Sequence, residues 1–420
     1  MASPSTQDLT GFFKEIYADS LIDLIPESTI LAKEVPFEGR DKDLGGKYHQ
    51  AVLVAEEGGF TYAASGAGSF SLNAASTLKT QDAQIDGVSL VLQSNLDYES
   101  AARASNSKKA FAEITGVKVK NMLTSIKKRL EASMWYGQSG IGKLNAAPTG
   151  ASTQAICVIS SATHAPMLWA GKINSRVHVY NGVTKMYGDF TITSVDVTDA
   201  VRTVTLTEVT GGDAALLRTN GVAGWDLFYA GSYGTADMFG IDKICTAGAA
   251  YFNIDPTVYD LWKSNTFAAG GAALTFKTVM DSVAQLVNRG LDEDVTVFVH
   301  PKTWSNLLTD QAALRQFDGS YDPSKVQQGA KAIEFFGMNG KVTVRGTGYV
   351  KGGEAFVLPT KRLSRVGASD VSFTTPGARN DEIFFHDPAN AGFYFRAYSH
   401  QAIFLESPAK ALKITGIVNS

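Results

Sequence analysis

The stretch from Tyr48 to Gln93 most constrains what this chain can fold into, because it has too little apolar surface to bury itself. Two alternating, strand-like runs, Tyr48–Ala55 and Ile85–Gln93, flank a middle made almost wholly of Gly, Ala, Ser and Thr. That middle, residues 57–77, has no helical period, and its larger apolar side chains, Phe60, Tyr62, Phe70 and Leu72, are scattered. A lone two-stranded hairpin is marginal in water, and structureless loops beyond about 12–15 residues are uncommon inside compact domains unless functional or disordered. An arm of this kind needs a surface to lie on, and the surface expected is another copy of the same chain. The sequence therefore reads as an assembly subunit, with a mobile surface loop as the plainer alternative.

The rest of the composition agrees. Of the 420 residues, 44% are hydrophobic, enough for a sizeable core, while 19% are charged, below the usual quarter. Low charge with 40 glycines suits a surface largely covered by neighbours, and equally an ordinary β-rich secreted protein. The net charge of −3 comes without a Lys/Arg-rich arm, which argues against intrinsic nucleic-acid binding. A container for nucleic acid is compatible with this, since a near-neutral inner wall does not trap a polymer that must enter and leave. Cys157 and Cys245 are far apart and form no metal or disulfide pattern. No basic-then-apolar leader and no long apolar run is present, so a soluble cytosolic product is expected.

Five segments follow along the chain. Residues 1–47 read as an N-terminal arm with an amphipathic stretch, Leu9–Ile25, carrying Phe12, Phe13, Ile16 and Leu21 and stopped by Pro26. Residues 28–37 are expected to be extended. After the extended loop (48–95) comes a helix from Lys108 to Tyr136, with an apolar stripe through Met122, Ile126, Leu130 and Met134 and a basic face, Lys118 to Arg129, expected to be solvated. With residues 376–420 it would form a peripheral domain (96–145 plus 376–420). Between 146 and 247 short Val- and Thr-rich runs alternate with turn signals such as Asn181-Gly182, which predicts an inserted all-β barrel. Residues 248–375 predict an axial α/β layer, with a helix capped by Thr275, a strand at Val295–Val299, a second helix after Pro301 that runs to Leu314, and strands at Lys341–Arg345 and Ala355–Leu358.

Motifs for chemistry fail one by one. Gly137–Lys143 fits GxxxxGK, but Leu144 stands where a Ser or Thr would hold magnesium, and the loop follows a helix instead of a strand. It reads as a flexible linker. Ser125–Lys128 matches SxxK in mid-helix, where no strained turn exposes the hydroxyl. The six histidines show no ligand spacing, and His386-Asp387-Pro388 is first of all a turn. No catalytic, cofactor-binding or metal site, and no cofactor, is predicted.

The order of these segments resembles the major capsid proteins of tailed bacteriophages, the Hong Kong 97-type capsid fold, over nearly the whole chain. Short phrases such as Phe37–Asp41 and Gly45–Lys47 accompany the architecture, although the family has no brief diagnostic signature. The resemblance implies an α+β fold: N-arm, extended loop, spine-helix peripheral domain and axial domain, with the β-barrel as an insertion common in the family. It implies a coat protein that self-assembles into hexamers and pentamers of an icosahedral head enclosing double-stranded DNA without sequence-specific contacts, made in the host cytoplasm and found in the virion. A scaffolding protein and a portal are the partners implied, a decoration protein is a further one, and no membrane is involved. The expected assembly contacts are Phe60, Tyr62, Phe70, Leu72 and Lys79 of the loop and Phe12, Phe13, Ile16 and Leu21 of the arm. Some family members cross-link a loop lysine to a neighbour's asparagine; Lys79 is the only lysine of the loop, no asparagine matches, and no cross-link is inferred. A protein nanocompartment shell is the alternative within the fold, and a β-rich attachment protein or a P-loop enzyme stands outside it.

Overall fold

The computed structural model describes residues 29–39, 47–66, 68–97, 108–246, 248–308, 333–338, 340–373, 384–386 and 392–419. Leu9–Ile25, with Phe12, Phe13, Ile16 and Leu21, lies outside the described residues, as do Leu314 and Asp387. The first described element is a short helix, Leu31–Glu34, where the sequence suggested extended chain. The cause sits far along the chain: the carboxylate of Glu131 accepts the N–H groups of Ile30, Leu31 and Ala32 at 3.1, 2.9 and 2.8 Å. First-turn donors have no partner inside a helix, and a buried anion aimed at them makes one turn worth forming. Strand β1 (Phe37–Gly39) follows.

Strands β2 (Tyr48–Ala55) and β3 (Lys79–Ile85) pair antiparallel as a separate two-stranded sheet. The strand expected over Ile85–Gln93 is cut in two at Asp86-Gly87. Ile85 ends the hairpin, and β4 (Val88–Asp97) belongs to a different sheet. Gly87 sits at the break against the His400 ring: a Cβ there would stand 2.3 Å from it, so a larger residue would have to displace that ring.

The helix Lys108–Tyr136 forms as expected; its 29 residues span roughly 43 Å. Met122, Ile126, Leu130 and Met134 are buried, but so is every residue from Leu130 to Tyr136. The expected solvated basic face is therefore only partly exposed. Lys128 is buried and donates to Ala170 O at 3.1 Å, and the Arg129 guanidinium lies 3.3 Å from the centre of the Tyr229 ring. A later sheet covers that face, which the helix's own periodicity cannot reveal.

That sheet comprises β5 (Gly142–Lys143), β6 (Gln154–Val158), β7 (Arg176–Asn181), β8 (Thr184–Asp196), β9 (Thr203–Glu208) and β10 (Asp226–Tyr229). Its order is β5-β10-β7-β8-β9-β6, all antiparallel. It curls so far that its ends meet: Asn145 N–H donates to Val158 O at 2.8 Å and Ser160 N–H to Lys143 O at 2.9 Å. The Val/Thr runs of the sequence are these strands, and the Asn181-Gly182 turn joins β7 to β8 with Gly182 at φ +59°. The Gly137–Lys143 loop is no flexible linker. Lys143 lies in the edge strand β5, and Lys351 Nζ, itself buried, donates to Gly140 O at 3.1 Å.

A third sheet runs β11-β19-β15-β12-β14-β13, from β11 (Asn265–Ala268), β12 (Val295–Val299), β13 (Ile333–Gly337), β14 (Gly340–Gly346), β15 (Glu354–Leu358) and β19 (Leu412–Thr415). The helix Phe276–Val287 packs Val279, Val283 and Leu286 onto it, and Thr275 caps that helix by accepting Thr278 N–H at 3.2 Å. The second helix, Pro301–Leu308, follows β12. A fourth sheet joins β1, β16 (Leu363–Ser372), β18 (Gly392–Leu405) and β17 (Phe384–His386), with β4 along the other side of β18. The long helix, the curled sheet and β18 share one continuous core, in which Ile126, Trp135, Trp169, Phe190, Phe395 and Phe404 are all buried.

Candidate assembly surface

The hairpin arm is anchored at its base and bare at its tip. Ala83 and Ile85 are buried, Tyr48 meets Phe404 edge-on with ring centres 6.2 Å apart, and Gln84 N–H donates to Phe252 O at 2.9 Å. Further out, Gln81 Nε2 donates to the Tyr259 hydroxyl at 3.1 Å, and the Lys79 ammonium sits 5.3 Å from the centre of the same ring. Beyond Lys79 the bonds found are internal: Gly58 N–H to Ser76 O at 3.3 Å, and Asn73 to Thr61 Oγ1 and Phe60 O, each at 2.8 Å.

The apolar side chains of this outer part face water. Phe60 is 69% exposed, Tyr62 92%, Phe70 54% and Leu72 78%. Burying one such side chain is worth about 1.5–3 kcal/mol, so leaving four uncovered forgoes a substantial fraction of a domain's stability. Phe60, Tyr62, Phe70 and Leu72 lie on the outer arm, with Lys79 where the paired strands end. Exposed Phe336 and Met338, at the β13–β14 turn, form a smaller apolar patch that pattern-reading missed because a hairpin tip has no period.

No protein-family model matches the chain, and no curated protein sequence matches it. Solved structures do. The cyanophage A-1(L) capsid asymmetric unit superposes with a TM-score of 0.53 at 10% identity, covering 98% of each chain. The capsid of the native GTA particle superposes at 0.52 with 11% identity over 100% of both. The chain has the Hong Kong 97-type capsid fold. The alignments in this capsid fold run over nearly the whole of both partners. The holo-SrpI encapsulin complex from Synechococcus elongatus PCC 7942 also aligns, at a TM-score of 0.42 and 8% identity over 100% and 98% of the two chains.

Two polar clusters inside the capsid fold were invisible in the sequence. Where the long helix ends, Tyr136 OH donates to Glu354 Oε2 at 3.2 Å, and Lys413 Nζ bonds Glu354 Oε1 at 2.7 Å and Asp242 Oδ1. Burial penalises both charges of the inner pair, yet the partners prevail: Lys413 is held above the usual lysine range by Asp242 and Glu354, and Asp242 is held below the usual carboxylate range by Lys413 and Lys351. The second cluster joins His164, Asp199 and His300 from distant parts of the chain. Neither was detectable by spacing, because each draws on different sheets. Among the described residues no helix is long and apolar enough to cross a membrane.

Proposed function

We propose that this protein is the major capsid protein of a tailed, double-stranded DNA bacteriophage or a related particle, and that it closes into an icosahedral head as hexamers and pentamers. The observation that carries the reading is the outer arm: four large apolar side chains held out in water on a chain of capsid fold. In this reading Phe60, Tyr62, Phe70 and Leu72 lie on a neighbouring subunit, with Lys79 at the hinge of that contact. Phe12, Phe13, Ile16 and Leu21 are assigned to docking a separate scaffolding protein, in the manner of an amphipathic helix in a groove. The curled sheet around 146–247 is assigned as the family's β-barrel insertion, a portal and a decoration protein as further partners, and the role is structural, not enzymatic. The enclosed DNA is contacted without sequence preference, and the assembled protein resides in the virion.

Electron microscopy of the purified chain tests this. Hexamers, sheets or shells support it, and a protein that stays monomeric at high concentration, with or without a scaffold from its genomic neighbourhood, refutes it. Expressed alone the chain is expected to give aberrant shells or free capsomers, and uniform native-sized shells would remove the scaffold requirement. The nanocompartment alternative is separated by content: enclosed enzyme in particles from the native source would favour it over DNA.

A further inference from the structure

Three side chains from three turns converge beside a cavity of about 170 Å³. His164 precedes the short helix Pro166–Trp169, Asp199 lies in the turn between β8 and β9, and His300 lies between β12 and the helix Pro301–Leu308. His164 Nδ1 stands 3.6 Å from Asp199 Oδ1, and His300 Nε2 stands 3.9 Å from the same oxygen. One ligand atom from each residue lies within 4.8 Å of the others.

We propose that His164, Asp199 and His300 form a binding site for one divalent transition-metal ion of the zinc type, which ties the curled sheet to the α/β sheet. Two observations carry it. Both imidazole side chains are 3% exposed, and His164 Nδ1 and His300 Nε2 are two of five buried side-chain atoms among the described residues without a hydrogen-bond partner. Buried polar atoms are nearly always satisfied, so a pair aimed at one carboxylate signals a missing partner. The donor set is also right: two imidazole nitrogens and a carboxylate suit Zn²⁺ at about 2.0–2.2 Å, which places neighbouring ligands roughly 3.4 Å apart in a tetrahedron. The two separations to Asp199, 3.6 and 3.9 Å, need to close by a few tenths of an ångström, and the two imidazole nitrogens, within 4.8 Å of one another, by up to about 1.4 Å. Asp199, whose side chain is 41% exposed, is the member free to move. The cavity beside them accommodates water for the fourth position.

Two features oppose the site and are outweighed. His300 Nδ1 accepts Lys302 N–H at 3.2 Å, a bond given up when the ring proton moves to Nδ1 and the metal takes Nε2. Arg202 and Lys302 line the cavity as cations, but Arg202 is already turned to carbonyl oxygens, with Nε on Ile159 O at 3.1 Å and Nη1 on Asp199 O.

The surroundings show what the metal would hold. The two sheets already touch here through Gly352 N–H to His164 O and Gly353 N–H to Ala162 O, both at 2.9 Å. A Cβ on Gly352 would fall 2.6 Å from Ser161 O, so the backbones meet directly. A metal would add a third tie across the same seam.

The test uses the untagged full-length chain, stripped with chelator and titrated with Zn²⁺ by calorimetry and with Co²⁺ by visible absorption. One ion per chain is expected, with a tetrahedral Co²⁺ spectrum that Zn²⁺ abolishes. His164→Gln, Asp199→Asn and His300→Gln should each weaken binding by about 100-fold or more, since even outer partners of metal ligands are worth 10–100-fold. The control His178→Gln, a histidine paired with Asp189 at 2.9 Å elsewhere on the curled sheet, should leave it unchanged. Asp199→Asn, at a half-exposed turn, keeps the test valid if a buried histidine variant misfolds. No binding below about 100 µM, or one-to-one binding unaffected by Asp199→Asn, would overturn the proposal.

Discussion

Glu131→Ala tests how the N-terminal segment is held to the body. The Glu131 carboxylate accepts three backbone N–H groups of the first described helix and Trp135 Nε1 at 3.0 Å. Hydrogen bonds to a charged group are worth about 1.5–3 kcal/mol each, but their sum overstates the loss. Two effects limit it. Burial raises the Glu131 pKa against the pull of Ala32, Leu31, Trp135 and Ile30, so removing the side chain also removes a desolvation penalty. The short helix can also detach, which returns its N–H groups to water and sacrifices mainly the packing of Leu31 and Val35, both buried. A loss of about 3 kcal/mol follows, local to residues 29–39, and Glu131→Gln, which keeps one acceptor oxygen, should lose roughly half as much. Native-state hydrogen exchange reads it directly: about 3 kcal/mol corresponds to roughly a 100-fold fall in protection of the Leu31 and Ala32 amides. Unchanged protection in Glu131→Ala would refute the assignment of the carboxylate as the cap.

Deleting residues 58–77 should leave the monomer's melting profile almost unchanged, since that stretch bonds mainly to itself, while abolishing capsomer assembly in electron micrographs; normal shells would refute its role. Lys143→Ala should change stability by less than about 0.5 kcal/mol, because its pairing with Asp226 at 3.5 Å is half exposed, and should reveal no nucleotide affinity in a binding titration. Lys413→Met leaves Asp242 and Glu354 buried beside one another and should cost about 3–5 kcal/mol in denaturant unfolding. The same network sets a pH window. Asp242's lowered pKa gives stability that is complete above the ordinary value of 3.8 and lost as pH falls through the folded value. Lys413's raised pKa gives stability that is complete below 10.5 and lost as pH rises through the folded value. In Lys413→Met the acid side of this profile should invert, with stability rising as the carboxylates protonate.

Local physics was legible in the sequence. The long helix, the Thr275 cap, the Val/Thr strands and the unburied loop each follow from periodicity, turn residues or composition within a window of a few residues. What escaped was set by distant partners. The helix at Leu31 depends on Glu131, the tight fit at Gly87 on the His400 ring, and the covering of Lys128 on the curled sheet. The histidine pair was dismissed for want of spacing, yet His164 and His300 meet because two sheets share a seam. The exposure of the loop's large apolar side chains was readable because a glycine-rich stretch cannot hide them, whereas Phe336, near the end of β13, and Met338 just after it stand at a hairpin tip with no pattern to betray them.

The spacing of the loop's exposed apolar side chains has a consequence for the unassembled chain. Phe60, Tyr62, Phe70 and Leu72 are never adjacent: Thr61 and Ser71 split each pair, and a run of alanine, glycine and serine separates the two pairs. Amyloid-like stacking favours six- or seven-residue segments of high β-propensity and few glycines, and here the one strand-prone run, Phe60–Tyr62, is three residues long between glycines and alanines. At the root, Lys47 pairs with Asp86 at 3.3 Å and the Asp82 carboxylate meets the His49 ring at 2.7 Å, so charged groups dress the two strands as protective charges do on exposed sheet edges. The unassembled chain is therefore expected to stay free of fibres at high concentration with these side chains exposed, which a thioflavin T assay would check.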